Sequence, residues 1–90
     1  MVIEQKLRWA FPAQKWTGRV TEEQQAKKVT EECVEFVQEV KQNNRRAALL
    51  ELLEGMQAAE CYLRSFYSDE EICNAVQQVV IKSAQNGYYS

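Results

Sequence analysis

The chain contains no histidine, one proline and three glycines in 90 residues. Without histidine there is no imidazole base, no Ser-His or Cys-His nucleophile and none of the usual zinc sites. The three cysteines, Cys33, Cys61 and Cys73, are odd in number and form no CxxC. They read as small apolar residues kept reduced in a cytosol, not as a disulfide framework, so a cytoplasmic protein is expected. No run of eighteen apolar residues is present, which excludes a membrane-spanning helix, and the start of the chain lacks a signal-peptide profile. A net charge of −2 gives no general attraction to a nucleic-acid polymer or an anionic membrane. There is also no GxxxxGK loop to cradle phosphates. Carboxylate and lysine chemistry is what remains.

What is present reads as helix. Residues 1–20 are too apolar for a disordered tail, with Val2, Ile3, Leu7, Trp9, Phe11 and Trp16. Pro12 disfavours helix at Phe11, so a short first helix ending there, or an arm packed on the bundle, is expected. Thr21-Glu22-Glu23-Gln24 is a capping box that opens a helix running to about Lys41–Asn44. On this helix Ala26, Val29, Cys33, Phe36, Val37 and Val40 share one face, and Lys28, Glu31, Glu32, Glu35 and Glu39 gather opposite. The second helix, about Arg45 to Tyr67, carries apolar residues nearly all round: Leu49, Leu50, Leu52, Leu53, Met56, Leu63 and Phe66. That pattern predicts a central helix with neighbours on several sides. On it, Glu60 and Arg64 lie one turn apart and can pair at the surface. A second capping box, Ser68 to Glu71, opens a third helix to about Gln85, closed by Asn86-Gly87. The expected architecture is an all-α bundle of three long helices plus an N-terminal segment, in one domain over 1–90. So short a chain buries roughly 60–65% of its unfolded surface, and a homodimer would help it.

Two pairs of glutamates stand out, Glu32 with Glu35 and Glu51 with Glu54. Residues three apart share a helix face, so each pair points its carboxylates one way. Fifteen residues lie between the pairs, enough to end one helix and start another running back. Antiparallel packing then sets the pairs opposite each other, and four hard oxygens around one gap outline a magnesium site. Most acidic runs are solvated faces, and for the first helix that reading is a serious rival. Glu51 and Glu54 weigh against it, because they sit on a helix too apolar to be a surface one. Small residues surround them on the helical wheel: Ala47, Ala58, Cys61 and Ser65. Buried carboxylates are costly without a cation, and a buried ion network with Arg45, Arg46 or Lys82 is the other way to meet that cost.

The same residues carry a resemblance. Lys28 and Glu31 followed by Glu32-Cys33-Val34-Glu35, then Glu51-Leu52-Leu53-Glu54 and the continuation GMQAAECYLR, resemble MazG-like members of the all-α NTP pyrophosphatase superfamily. The tail Lys82-Ser83-Ala84-Gln85-Asn86-Gly87-Tyr88-Tyr89 resembles the K-N-x-x-R-G-Y-Y ending of the phage and prophage subgroup. The likeness runs from about Pro12 to Tyr89. Three positions depart from it: Glu54 stands for aspartate, Ser83 for asparagine and Asn86 for arginine.

The resemblance implies Mg²⁺-dependent hydrolysis, with Mn²⁺ as a substitute, of a nucleoside triphosphate to the monophosphate and pyrophosphate. It implies Glu32, Glu35, Glu51 and Glu54 as metal ligands, with Glu31 and Glu35 orienting the attacking water. Lys28, Lys82 and Asn86 would face phosphate, and Trp16 and Tyr88 would stack on the base. A homodimer or dimer of dimers is expected. The departures keep two rivals open. One is a catalytically impaired relative that binds nucleotide or metal. The other is a helical interaction module in which Glu51 and Glu54 pair with arginines of a second copy.

Overall fold

A computed structural model describes residues 8–89, which form three helices and, among the described residues, no strand. These are α1 (Glu22–Lys41), α2 (Arg45–Phe66) and α3 (Asp69–Gln85), and the fold is an all-α helical bundle. None of these helices is long and apolar enough to cross a membrane. Trp9–Phe66 form one compact unit, and Tyr67 onward, with α3, belongs to a second.

Local chemistry sets the helix ends where the pattern predicts them. At the start of α1 the Thr21 hydroxyl accepts from Gln24 N–H at 3.1 Å, and the Gln24 side chain accepts from Thr21 N–H at 3.1 Å. Glu22 and Glu23 add negative charge to the first turn, where the helix dipole favours it. The α1 end is a Schellman turn: Asn43 N–H bonds Val40 O at 3.1 Å and Asn44 N–H bonds Glu39 O at 3.0 Å. Asn43 sits at φ 58° there, a left-handed conformation that asparagine tolerates better than most residues. Only Gln42, Asn43 and Asn44 separate α1 from α2, so the two helices fold back as a hairpin. In the second unit, Ser68 and Glu71 cap α3 reciprocally, and Gly87 at φ 77° closes it with a Schellman turn of its own.

The hairpin is antiparallel, since Glu22 meets Tyr62, Gln25 meets Ala58 and Glu32 meets Gly55. The face of α2 toward α1 is made of small residues, Ala48, Gly55, Ala58 and Cys61, all buried. They let α1 come close, and at Gly55 a Cβ would lie 3.5 Å from that of Glu32.

The packing of α1 departs from expectation. Its buried residues are Gln25 and Glu32, from the polar side, with Val29 and Phe36 half-buried. Ala26, Cys33, Val37 and Val40 of the apolar face are exposed. Likewise α2 is not surrounded: Leu49, Leu50, Leu52, Leu53 and Met56 stay exposed, at 37–47% of their full area. The physical reason is the small-residue stripe on α2. It offers no hydrophobic bulk to α1 but a close, narrow contact, which a carboxylate or amide stem fills. No large side chain among the described residues is fully buried.

Ahead of α1, residues 9–20 form a strap without regular structure against α2. The predicted short first helix is absent at residues 8–11, and the rest of that expectation lies outside the described residues. Glu60 and Arg64 do not pair with each other as expected. The Glu60 carboxylate accepts from Ala10 N–H at 2.9 Å and Phe11 N–H at 3.0 Å. Arg64 donates to Phe11 O at 2.8 Å and lies 4.4 Å from the Trp9 ring centroid. Two backbone donors and a carbonyl, left free by the irregular chain before Pro12, are better partners than an exposed ion pair.

Candidate functional site

Inside the hairpin, Glu32 and Glu35 of α1 and Glu51 of α2 converge. One carboxylate oxygen from each lies within 4.8 Å of the other two. Glu32 is 5% exposed, Glu51 is half-buried and Glu35 opens to solvent. The helix spacing puts Glu32 and Glu35 on one face of α1, and the antiparallel register carries Glu51 opposite them. Glu54, one turn along α2, lies near Glu32 and Glu51 and is exposed.

Charge in this cluster is only partly balanced. Lys28 Nζ lies 2.8 Å from Glu32 Oε1. That hydrogen bond raises the lysine pKa and holds the Glu32 carboxyl below its ordinary value, against the opposing effect of burial. Glu32 Oε2 and Glu51 Oε2 are buried with no hydrogen-bond partner. Glu51 is pushed up to about 7 by the nearness of the Glu35 carboxylate, by removal from water and by the nearness of Glu32. The nearby charges of Glu35 and Glu54 push the same way. A carboxyl raised in this way is what like charges produce when no cation separates them.

The residues fit a small divalent cation. All donors are hard carboxylate oxygens, the set that suits Mg²⁺ and Mn²⁺ over softer metals. Ligands on octahedral Mg²⁺ stand about 3 Å apart when adjacent and about 4.2 Å when opposed, so oxygens within 4.8 Å of one another would close by up to about 2 Å around the ion. The two partnerless oxygens supply the unmet demand.

A pocket of about 230 Å³ borders the cluster, lined by Gln14 and Trp16 of the strap, Gln25, Lys28 and Glu32 of α1, and Glu54, Gln57 and Ala58 of α2. Trp16 is 43% exposed, and its indole N–H donates to Gln14 Oε1 at 3.0 Å. Gln25 is anchored by donating to Ala58 O at 2.9 Å.

Of the residues singled out in the sequence, Glu32, Glu35 and Glu51 converge, and Glu54, Lys28 and Trp16 line the adjoining pocket. Glu31 is exposed, and its charge helps to raise the Lys28 pKa. Lys82, Asn86 and Tyr88 belong to the second unit, where all three are exposed and Asn86 caps α3. Sequence reasoning does not find Gln14, Gln25 and Gln57, because a neutral amide leaves no mark in charge or hydrophobic period. Nor does it single out Glu39 as a site residue, yet its Oε2 is buried without a partner one turn beyond Glu35.

No protein-family model matches the chain, and neither curated proteins nor solved structures include a match to it.

Proposed function

We propose that the protein is a Mg²⁺-dependent nucleoside triphosphate pyrophosphohydrolase, with Mn²⁺ as an alternative cation, releasing pyrophosphate and a monophosphate. The observation that carries this reading is the pair of buried, partnerless oxygens on Glu32 and Glu51, in a carboxylate cluster beside a pocket with an aromatic wall. Glu32, Glu35, Glu51 and Glu54 would hold the cation. When bound, it would offset the triphosphate charge and polarise a phosphoryl oxygen. Lys28 holds Glu32 through Oε1, leaving Oε2 without a partner, and its exposed ammonium would border the path of the phosphates. Water attacks the α-phosphorus, the bond to the bridging oxygen breaks and pyrophosphate leaves. The proton from that water passes to Glu35, the open carboxylate of the three, or to Glu31 beside it. Trp16 offers its face to the base. Lys82, Asn86 and Tyr88 keep their proposed phosphate and base roles on the strength of the resemblance alone.

The same reading includes a homodimer, or a dimer of dimers, with the outward apolar faces of α1 and α2 covered by a second copy. Val37 and Val40 on α1, and Leu49, Leu50, Leu52, Leu53 and Met56 on α2, are too many exposed hydrophobes for an isolated chain.

The test is pyrophosphate release from a panel of NTPs and dNTPs with Mg²⁺ or Mn²⁺. Metal-dependent release that disappears in the Glu35→Gln, Glu51→Gln double variant is expected. Folded wild-type protein that releases none from any nucleotide would defeat the enzyme reading and favour a metal or nucleotide binder.

A further inference from the structure

The pocket beside the carboxylates is built from two kinds of support. Gln25, Lys28, Glu32, Glu54, Gln57 and Ala58 sit on α1 and α2. Gln14 and Trp16 sit on the strap, which has no helix or sheet to hold it. Their position depends on a few tethers to the C-terminal half of α2. The strongest is Glu60, whose single carboxylate accepts two consecutive backbone N–H groups, Ala10 at 2.9 Å and Phe11 at 3.0 Å. Arg64 adds a bond to Phe11 O at 2.8 Å and a guanidinium over Trp9. At the far end Ser65 Oγ accepts from Gly18 N–H at 3.0 Å.

Between these anchors the strap carries local restraints. Pro12 fixes its own φ and restrains Phe11. A turn follows, with Thr17 N–H on Gln14 O at 3.0 Å and Arg19 N–H on Trp16 O at 2.8 Å. Gly18 supplies the φ of 79° that the turn needs. A displacement at Ala10 and Phe11 is passed along this short chain to Gln14 and Trp16. The wall they form has a defined chemistry: one indole face for stacking, and an amide that joins Gln25 and Gln57 in offering donors and acceptors. That wall suits the edge and face of a planar heterocycle, with Lys15 Nζ 6.0 Å from the Trp16 ring centroid.

We propose that Glu60, supported by Arg64, is a positioning residue that sets affinity for the base end of the substrate independently of the cation cluster. The inference rests on the pyrophosphohydrolase reading. It divides the site into a helix-borne half that takes cation and phosphates and a strap-borne half that takes the base.

The experiment compares two probes in the presence of Mn²⁺: tripolyphosphate, which has no base, and non-hydrolysable α,β-methylene nucleoside triphosphates. Both are titrated against the wild type, Glu60→Gln and, as a milder break in the same clamp, Arg64→Lys. Glutamine puts an NH2 donor where one of the two carboxylate oxygens stood, so one N–H group faces a donor and the clamp weakens while the helices stay intact. Glu60→Gln should weaken the best-bound nucleotide analogue about tenfold, the scale of one base–aromatic contact, and leave tripolyphosphate within about twofold. Amide exchange should rise over residues 10–18 and stay unchanged in α1 and α2. Unchanged nucleotide affinity in the variants would overturn the proposal, as would equal loss of both probes. Wild-type protein that binds tripolyphosphate as well as any nucleotide would overturn it too, with the cation reading intact. Wild-type protein that binds neither probe would defeat the pyrophosphohydrolase reading itself, a different result. Should Glu60→Gln fail to fold, Arg64→Lys carries the same comparison: selective loss of the nucleotide analogue supports the clamp, and equal or no loss overturns it.

Discussion

The inside and the outside of the α1–α2 hairpin are built from opposite materials. Inside are Gln25, Glu32, Glu51, Gly55 and Ala58, carboxylates and amides on a bed of small residues. Outside are Val34, Val37, Val40, Leu49, Leu50, Leu52, Leu53 and Met56, all more than a third exposed. An ordinary two-helix contact has this arrangement reversed. The hairpin's interior is therefore costly to form, and its exterior is where hydrophobic stabilisation is still to be gained. On the proposed reading the interior takes a ligand and the exterior takes a second copy.

The largest expected effect comes from breaking the interior. Glu32→Gln should lower metal-dependent turnover at least about 100-fold, the upper end of what loss of a mere ligand-supporting group costs. Steady-state assays across a Mn²⁺ titration check this, and turnover within about threefold of wild type would count against Glu32 as a ligand. The next effect comes from the exterior. Leu50→Glu should weaken self-association by at least about 2 kcal/mol, roughly thirtyfold, by placing an unpaired charge in an apolar interface. Sedimentation equilibrium reads it, and a wild type that is monomeric at high concentration would remove the dimer.

A subtler effect concerns the proton on Glu51. Its folded pKa of about 7 lies above the ordinary 4.5, so between those values the folded state binds more protons than the unfolded one. Metal-free protein should therefore lose stability as pH rises from about 4.5 to 7, and level off beyond. Glu32, lowered by Lys28, contributes with the opposite sign, and its contribution is lost only as pH falls below 4.5. Denaturant titrations in chelator across this range should show the Glu51 slope, and saturating Mn²⁺ should reverse it by displacing the proton. A slope unaffected by Glu51→Gln would contradict the assignment. The smallest effect tests the close contact. Gly55→Ala meets the Glu32 Cβ at an ordinary 3.5 Å, so helix propensity should dominate. The variant should melt as high as wild type or be more stable by up to about 1 kcal/mol. A clear loss of stability would mean that the helices have no room to give.

Much of this molecule is legible in its sequence, because much of it is local. The capping boxes at Thr21 and Ser68, the Gln42–Asn44 turn and the stop at Asn86-Gly87 act through neighbours in the chain, and all three helices stand where those signals put them. The convergence of Glu32, Glu35 and Glu51 follows from spacing plus a short turn. The faces are not legible. Periodicity identifies an apolar stripe on α1 but not what opposes it, and the small residues of α2 draw Glu32 inward instead of Cys33 and Val37. Nor is the clamp legible. Glu60 and Arg64 at i and i+4 look like an ion pair, and only the fold brings the backbone of Ala10 and Phe11 within reach.

The central claim is that the inside of the hairpin binds a divalent cation, and direct titration tests it most simply. Free Mn²⁺ would be followed by electron paramagnetic resonance as chelator-treated protein is added at neutral pH. The wild type should bind Mn²⁺ at this cluster, Mg²⁺ should compete, and Glu32→Gln combined with Glu51→Gln should abolish the binding. Folded wild-type protein that takes up no Mn²⁺ at millimolar concentration, or a double variant that binds as well as wild type, would contradict the account.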